Sequence, residues 1–314
     1  MSRIFDALQR SGTEQSGVEY PDLISVVTEV FEREKKAAVQ ESSVPSSVAA
    51  PRTVESPAPE EQLTVEIPNR EEHLPDGSTT ELSEFPSLSV GVTSSSRLVF
   101  LNAPDSLAAE KFRFLGVRLR QMQQNRSLKK VLITSTIPEE GKSLTSANLA
   151  GALARRKQKV LLIEGDLRRP TLAQQFGLGH LAGVGEWLQG DGRKVTNVYR
   201  LDGPNFWLMP AGDPPANPLE LMQSGKLSHL MEEVSSMFDW ILVDSPPLLP
   251  LADTTVWARL TEGTLLVARE GKTEKSKLQR GLELVKKNEL LGVVLNGTHG
   301  GNENYYQRYS PKTK

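Results

Sequence analysis

Residues 131–143 fix most of what this 314-residue chain can become. An apolar run, Val131-Leu132-Ile133, passes through Thr134 and Ser135 into the turn Thr136-Ile137-Pro138-Glu139-Glu140. That turn ends in Gly141-Lys142-Ser143, where a helical pattern begins. Strand, turn and helix N-terminus in that order make a cradle for phosphate: backbone N–H groups wrap the anion and the helix end adds partial positive charge. The predicted nucleotide contacts are Glu140, Gly141, Lys142, Ser143 and Leu144, with Lys142 reaching the β/γ-phosphates and the Ser143 hydroxyl facing Mg²⁺. The loop is a variant. Thr136 stands where the general pattern has glycine, and Glu139 and Glu140 bring negative charge beside a triphosphate. An ordinary polar turn is the competing reading, and the strand–loop–helix setting weighs against it.

The same alternation continues along the chain. Apolar runs predict strands at 97–101, 131–135, 160–163, 206–209, 240–243, 264–268 and 292–295. Helical patterns between them include 107–124, 142–156, 218–222 and 274–288. Short apolar strands alternating with helices imply βαβ units, hence a doubly wound, mostly parallel α/β domain over residues 97–300. Upstream, Ile4, Phe5 and Leu8 share one helical face. Residues 22–38 place Leu23, Val27, Val30 and Phe31 at helical spacing behind Pro21 and a capping Asp22. Residues 39–96 are rich in Ser, Pro, Glu and Thr with too few large apolar side chains for a core, which predicts a disordered linker.

Two further strand ends carry acid. Glu164 and Asp166 follow the run 160–163, two residues apart and so on one side of an extended chain. One can hold hydrated Mg²⁺ and the other can accept a proton, with Arg168 screening phosphate charge; a helix cap with surface ion pairs explains them equally well. Asp244 ends the run 240–243, the arrangement that faces a metal across from a P-loop. Composition narrows the remaining chemistry. With no cysteine there is no disulfide or thiolate metal site, and the four histidines lack ligand spacing. A formal charge of −2 gives no global basic field for nucleic acid. No apolar run is long enough to span a bilayer and the N-terminus is too polar for a secretory leader, so a soluble, cytoplasmic protein is expected. Tyr305, Tyr306 and Tyr309 crowd a polar terminal stretch, 301–314, without apolar neighbours, where they suit a phosphoacceptor better than a core.

In combination these motifs resemble those of the bacterial tyrosine autokinases of polysaccharide export, the BY-kinases, which share the P-loop fold of the ParA and MinD group. The resemblance rests on Pro138-x-x-Gly141-Lys142-Ser143, Glu164-Gly165-Asp166-Leu167-Arg168-Arg169-Pro170, Asp244-Ser245-Pro246-Pro247, the stretch 210–218 and the terminal tyrosines. It implies ATP and Mg²⁺ as cofactors, with Lys142, Glu164, Asp166 and Asp244 as catalytic groups. Ser143, Asp166 and Asp244 would hold the metal, Arg168 and Asn296 would contact nucleotide, and Tyr305, Tyr306 and Tyr309 would be the phosphoacceptors. It further implies a membrane-bound chain-length regulator as activator, a homo-oligomer, other protein tyrosine substrates and a place at the inner face of the membrane through that partner. Two residues depart from the family pattern: Glu164 stands for Asp, and Gly116 replaces the last Arg of the oligomerisation motif Glu-x-x-Arg-x-x-Arg begun by Glu110 and Arg113. The alternatives are a ParA/MinD-like positioning ATPase, whose loop normally carries an early Lys absent here, and a non-enzymatic nucleotide-binding scaffold.

Overall fold

Three consecutive apolar residues at the centre of a strand must bury side chains on both faces, and the sheet does so throughout. In the computed structural model, residues 82–298 are described, apart from 193, 250, 251, 287 and 288. The amphipathic stretches of residues 1–38 and the tyrosines at 305, 306 and 309 lie outside the described residues. The strands are β1 (Ser87–Ser89), β2 (Lys130–Ser135), β3 (Val160–Glu164), β4 (Tyr199–Asp202), β5 (Phe206–Met209), β6 (Trp240–Asp244), β7 (Gly263–Arg269) and β8 (Leu290–Asn296). They form one sheet in the order β1-β4-β5-β3-β6-β2-β7-β8. Every neighbouring pair is parallel except β4 with β5.

Side-chain alternation splits the core into two layers. Val131 and Ile133, Val160 and Leu162, and Trp240 and Leu242 face one layer. Leu132, Leu161 and Ile163, and Ile241 and Val243 face the other. The helices are α1 (Val99–Asn102), α2 (Leu107–Asn125), α3 (Lys142–Ala154), α4 (Leu172–Gln175), α5 (Val184–Gln189), α6 (Pro218–Met222), α7 (Lys226–Met237), α8 (Asp253–Arg259) and α9 (Lys275–Leu284). They cover both layers, as a doubly wound fold requires. The first layer holds α3, which is buried over nearly its whole length, and the second holds α7 through Leu227, Leu230, Met231 and Val234. None of the helices among the described residues is long and apolar enough to cross a membrane.

Three expectations change. Residues 97–101 are not a strand: Val99–Asn102 is the short helix α1. Both sheet edges are occupied by β1 and β8, so this apolar segment lies over α3 instead, where Gly151 leaves space for the Phe100 ring. A Cβ at Gly151 would sit 2.4 Å from that ring. The domain also begins before residue 97. Phe85 is buried, and Ser87–Ser89 pairs in parallel with Arg200–Asp202, too short and polar a strand to be legible as one. The helix expected at 274–288 ends at Leu284, after which Val285 is extended.

Candidate active site

The carboxyl ends of β3, β6 and β2, adjacent in the sheet, bring the three motifs together. Gly141 turns the loop after β2 into α3 with φ +94°, a left-handed conformation that favours glycine. No side chain caps the thirteen-residue α3, so the N–H groups of its first turn remain available to an anion. Gly141 is also crowded. The Asn296 amide nitrogen donates to the Glu140 carbonyl at 2.9 Å, and a Cβ on Gly141 would lie 2.0 Å from that nitrogen. Asn296, expected to contact adenine, therefore latches the P-loop from the end of β8. Its other amide atom accepts from Gly297 N at 2.9 Å.

The two loop glutamates point away from the phosphate cradle. Glu139, with φ +63°, pairs with Lys272 at 2.6 Å, and its carbonyl accepts from Arg269 at 3.2 Å. The Lys272 hydrogen bond holds its exposed carboxyl below the usual range. Glu140 is fully buried beneath the loop, where it accepts from Ile137 N at 2.9 Å and from the Thr273 hydroxyl. Burial pushes its carboxyl up, against the pull of the Thr273 hydrogen bond. A folded-state value above the unfolded one gives stability that is fully present below about pH 4.5 and lost as pH rises through the raised value. Replacing Glu140 with Gln removes this titration. Denaturant unfolding of the Glu140→Gln protein should show a flatter decline of stability above pH 4.5 than the parent.

Opposite the loop, Lys142 Nζ lies 3.0 Å from Asp166 Oδ2 and 3.4 Å from the Ser143 hydroxyl. Burial opposes its charge, but Asp244, then Asp166, prevail and raise its pKa. Asp166 Oδ1 accepts from Arg169 N at 3.1 Å. Asp244 is 1% exposed and receives the Ser146 hydroxyl on Oδ1 at 3.2 Å, while its buried Oδ2 has no hydrogen-bond partner. Burial pushes the Asp244 carboxyl up, against the pull of Lys142 and the Ser143 and Ser146 hydroxyls. An orphaned buried carboxylate oxygen beside a Ser hydroxyl is costly unless something of positive charge meets it. Oxygen donors of this kind suit a hard divalent cation that keeps several waters. Ser146, one helical turn beyond Lys142, was not singled out from sequence; its only signal is that spacing.

Two predicted site residues are committed elsewhere. Glu164 is 1% exposed and accepts from the backbone N–H groups of Thr171, Leu172 (2.6 Å) and Ala211 (3.1 Å). Burial raises its pKa against these donors. Its oxygens are spent on clasping the loops after β3 and β5, so it is not presented as a proton acceptor. Asp is one methylene too short to hold both loops at once. Glu164→Asp should strand buried N–H groups at roughly 1–3 kcal/mol, detected as lower unfolding stability with faster amide exchange at Thr171, Leu172 and Ala211. Arg168, expected to meet nucleotide, instead pairs with buried Asp253 of α8 through Nε (2.7 Å) and Nη2 (3.2 Å). Beside it, the Trp257 indole donates to the Gly165 carbonyl at 3.0 Å, tying α8 to the same loop. Asp253 and Thr273 carried no sequence signal, because each acts through a partner distant in the chain.

No family model matches the chain. Among curated proteins it is 33% identical over 217 residues to the tyrosine-protein kinase YwqD of Bacillus subtilis, covering 68% of this chain and 92% of that one. It is 32% identical over 230 residues to the succinoglycan biosynthesis transport protein ExoP of Rhizobium meliloti, covering 68% of this chain but 29% of ExoP. Among solved structures, the kinase domain of the Escherichia coli tyrosine kinase ETK superposes with a TM-score of 0.60 at 26% identity, covering 65% of this chain and 82% of that domain.

Proposed function

The chain belongs to the bacterial tyrosine kinases, the BY-kinases, and from that premise we propose that it transfers the γ-phosphoryl group of ATP to tyrosine, its own terminal cluster included. The observation that carries this reading is the meeting of Lys142, Asp166 and the orphaned Asp244 Oδ2 beside the uncapped N-terminus of α3. Ser143 and Asp244 would hold Mg²⁺, which when bound neutralises phosphate charge. The first-turn N–H groups and Lys142 bind the β- and γ-phosphates. Turning to phosphate, Lys142 releases Asp166 Oδ2. Asp166 then accepts the proton as the tyrosine oxygen bonds to the γ-phosphorus and the bond to the β–γ bridging oxygen breaks, giving phosphotyrosine and ADP. Glu164, Asp253 and Trp257 hold the Asp166 loop in place for this step rather than taking part in it.

Because ExoP is named for polysaccharide biosynthesis and transport, we extend the proposal to control of exopolysaccharide or capsule synthesis and export. A membrane-bound chain-length regulator would be the activating partner. Purified full-length protein incubated with ATP and Mg²⁺ tests the reaction, with ADP and phosphotyrosine measured together. Matched formation of both supports the kinase. ADP without phosphotyrosine would support a positioning ATPase, and neither product a scaffold.

A further inference from the structure

Helix α2 buries Ala109, Gly116 and Leu119, while Phe112, Leu115 and Met122 pack against the core and stay partly exposed. Beside it runs β8, the last strand of the sheet among the described residues. Between them lies a cavity of about 450 Å³, lined by Phe112, Leu115, Leu119 and Met122 of α2 and by Leu291 and Val294 of β8. That volume is in the range of clefts that hold ligands, about 300–1,000 Å³, and Phe112, Leu115, Met122 and Val294 remain partly exposed along it.

We propose that residues 22–38 of the same chain dock in this groove as an amphipathic helix. Leu23, Val27, Val30 and Phe31 fall at i, i+4, i+7 and i+8, the spacing with which a helix lays one apolar stripe into a groove. The Ser/Pro/Glu-rich chain that follows offers that stripe nothing to pack against. Reach agrees. Leu82 precedes β1 at the far edge of the sheet, and eight strands put the two edges about 34 Å apart. Residues 39–81 number 43, and a flexible coil of that length has a root-mean-square span of about 36 Å. Linker and span therefore match, the condition under which a tethered segment has its highest effective concentration.

Two other occupants fit less well. The terminal stretch 299–314 leaves from Thr298 at the groove itself, but its large side chains are tyrosines set among Asn, Glu, Gln and Arg, whose polar groups would go unpaired against an apolar wall. A second copy would have to use the charged stripe of α2. There Arg113 is held by Glu110 (2.6 Å) and by the Pro104 carbonyl (2.8 Å), and Gly116 is buried against Leu153. The cavity also touches Asn296 and Thr145, so a docked helix bears on the amide that latches the P-loop.

The absence of native cysteine makes the test direct. In full-length protein, Val27→Cys is combined with Leu115→Cys, and separately with Met122→Cys in case either groove variant disturbs folding. Disulfide trapping under a mild oxidant is compared with Thr64→Cys and Tyr306→Cys paired with the same groove positions. Docking predicts an intramolecular disulfide from Val27→Cys formed at least tenfold faster than from Thr64→Cys or Tyr306→Cys, and suppressed when Phe31→Asp is added. A disulfide-linked dimer would identify a second copy as the occupant. Faster trapping of Tyr306→Cys would identify the tail, and equal rates for Val27→Cys and Thr64→Cys would mean that nothing docks. Each of these three results overturns the proposal.

Discussion

Replacing Lys142 with methionine should abolish phosphotyrosine formation while the fold is retained. The ammonium bonds Asp166 and is held by the charge of Asp244 at the start of α3. Methionine keeps its apolar stem and removes its charge. Loss of a single preorganised charge or donor at a phosphoryl or oxyanion site lowers rate by roughly 10²–10⁵-fold. The substitution also has a stability signature. Lys142 lowers the pKa of Asp244, so without it that carboxyl, already raised by burial, titrates still higher. A raised carboxyl contributes stability at low pH that is lost as pH rises through its folded value. Relative to the parent, Lys142→Met should therefore lose stability more steeply toward neutral pH. Circular dichroism checks the fold, unfolding at several pH values checks the slope, and phosphotyrosine detection checks the activity. Retained activity, or a slope unchanged from the parent, would mean that Lys142 does not balance these acids.

Asp244→Asn should separate activity from stability. The carboxylate is buried, its Oδ1 accepts from the Ser146 hydroxyl, and its Oδ2 has no hydrogen-bond partner. Such a group is costly to the empty protein and useful once a divalent cation arrives. Asparagine keeps the shape and removes the charge. Phosphotyrosine formation should fall by at least about 10²-fold. The rise in melting temperature produced by Mg²⁺ with nucleotide should shrink, since a ligand stabilises only in proportion to its binding. Without ligand, the Asn protein should be as stable as the parent or more so, in keeping with strain held at functional sites. A variant that loses stability in the absence of ligand, yet keeps its response to Mg²⁺ with nucleotide, would make Asp244 a structural group instead.

Much of this arrangement can be read along the chain because it is local. Val131-Leu132-Ile133 followed by Gly141-Lys142-Ser143 sets a strand, a loop and a helix in thirteen residues, and the runs 160–163 and 240–243 end in the acids Glu164 and Asp244. What was hidden depends on distant partners. Glu164 looks like a second active-site acid until Ala211, 47 residues away, is seen to donate to it. Glu139 and Glu140 look like misplaced charge beside a phosphate site until Lys272 and Thr273, each 133 residues on, are seen to take them. The resemblance implies nucleotide contacts for Arg168 and Asn296, whose side chains meet Asp253 and the P-loop carbonyl of Glu140 instead. Residues 97–101 failed for another reason. Their apolar character is real, but a helix packed on α3 buries it as well as a strand would, and local composition does not distinguish the two.

Whether the site at Lys142, Asp166 and Asp244 phosphorylates this chain's own terminal tyrosines is decided by mass-spectrometric mapping after incubation of the full-length protein with ATP and Mg²⁺, with Lys142→Met in parallel. Phosphate is expected on Tyr305, Tyr306 or Tyr309 in the parent and on none of them in the variant. An unmodified tail in a parent preparation that still hydrolyses ATP, or equal modification of both proteins, would contradict this expectation.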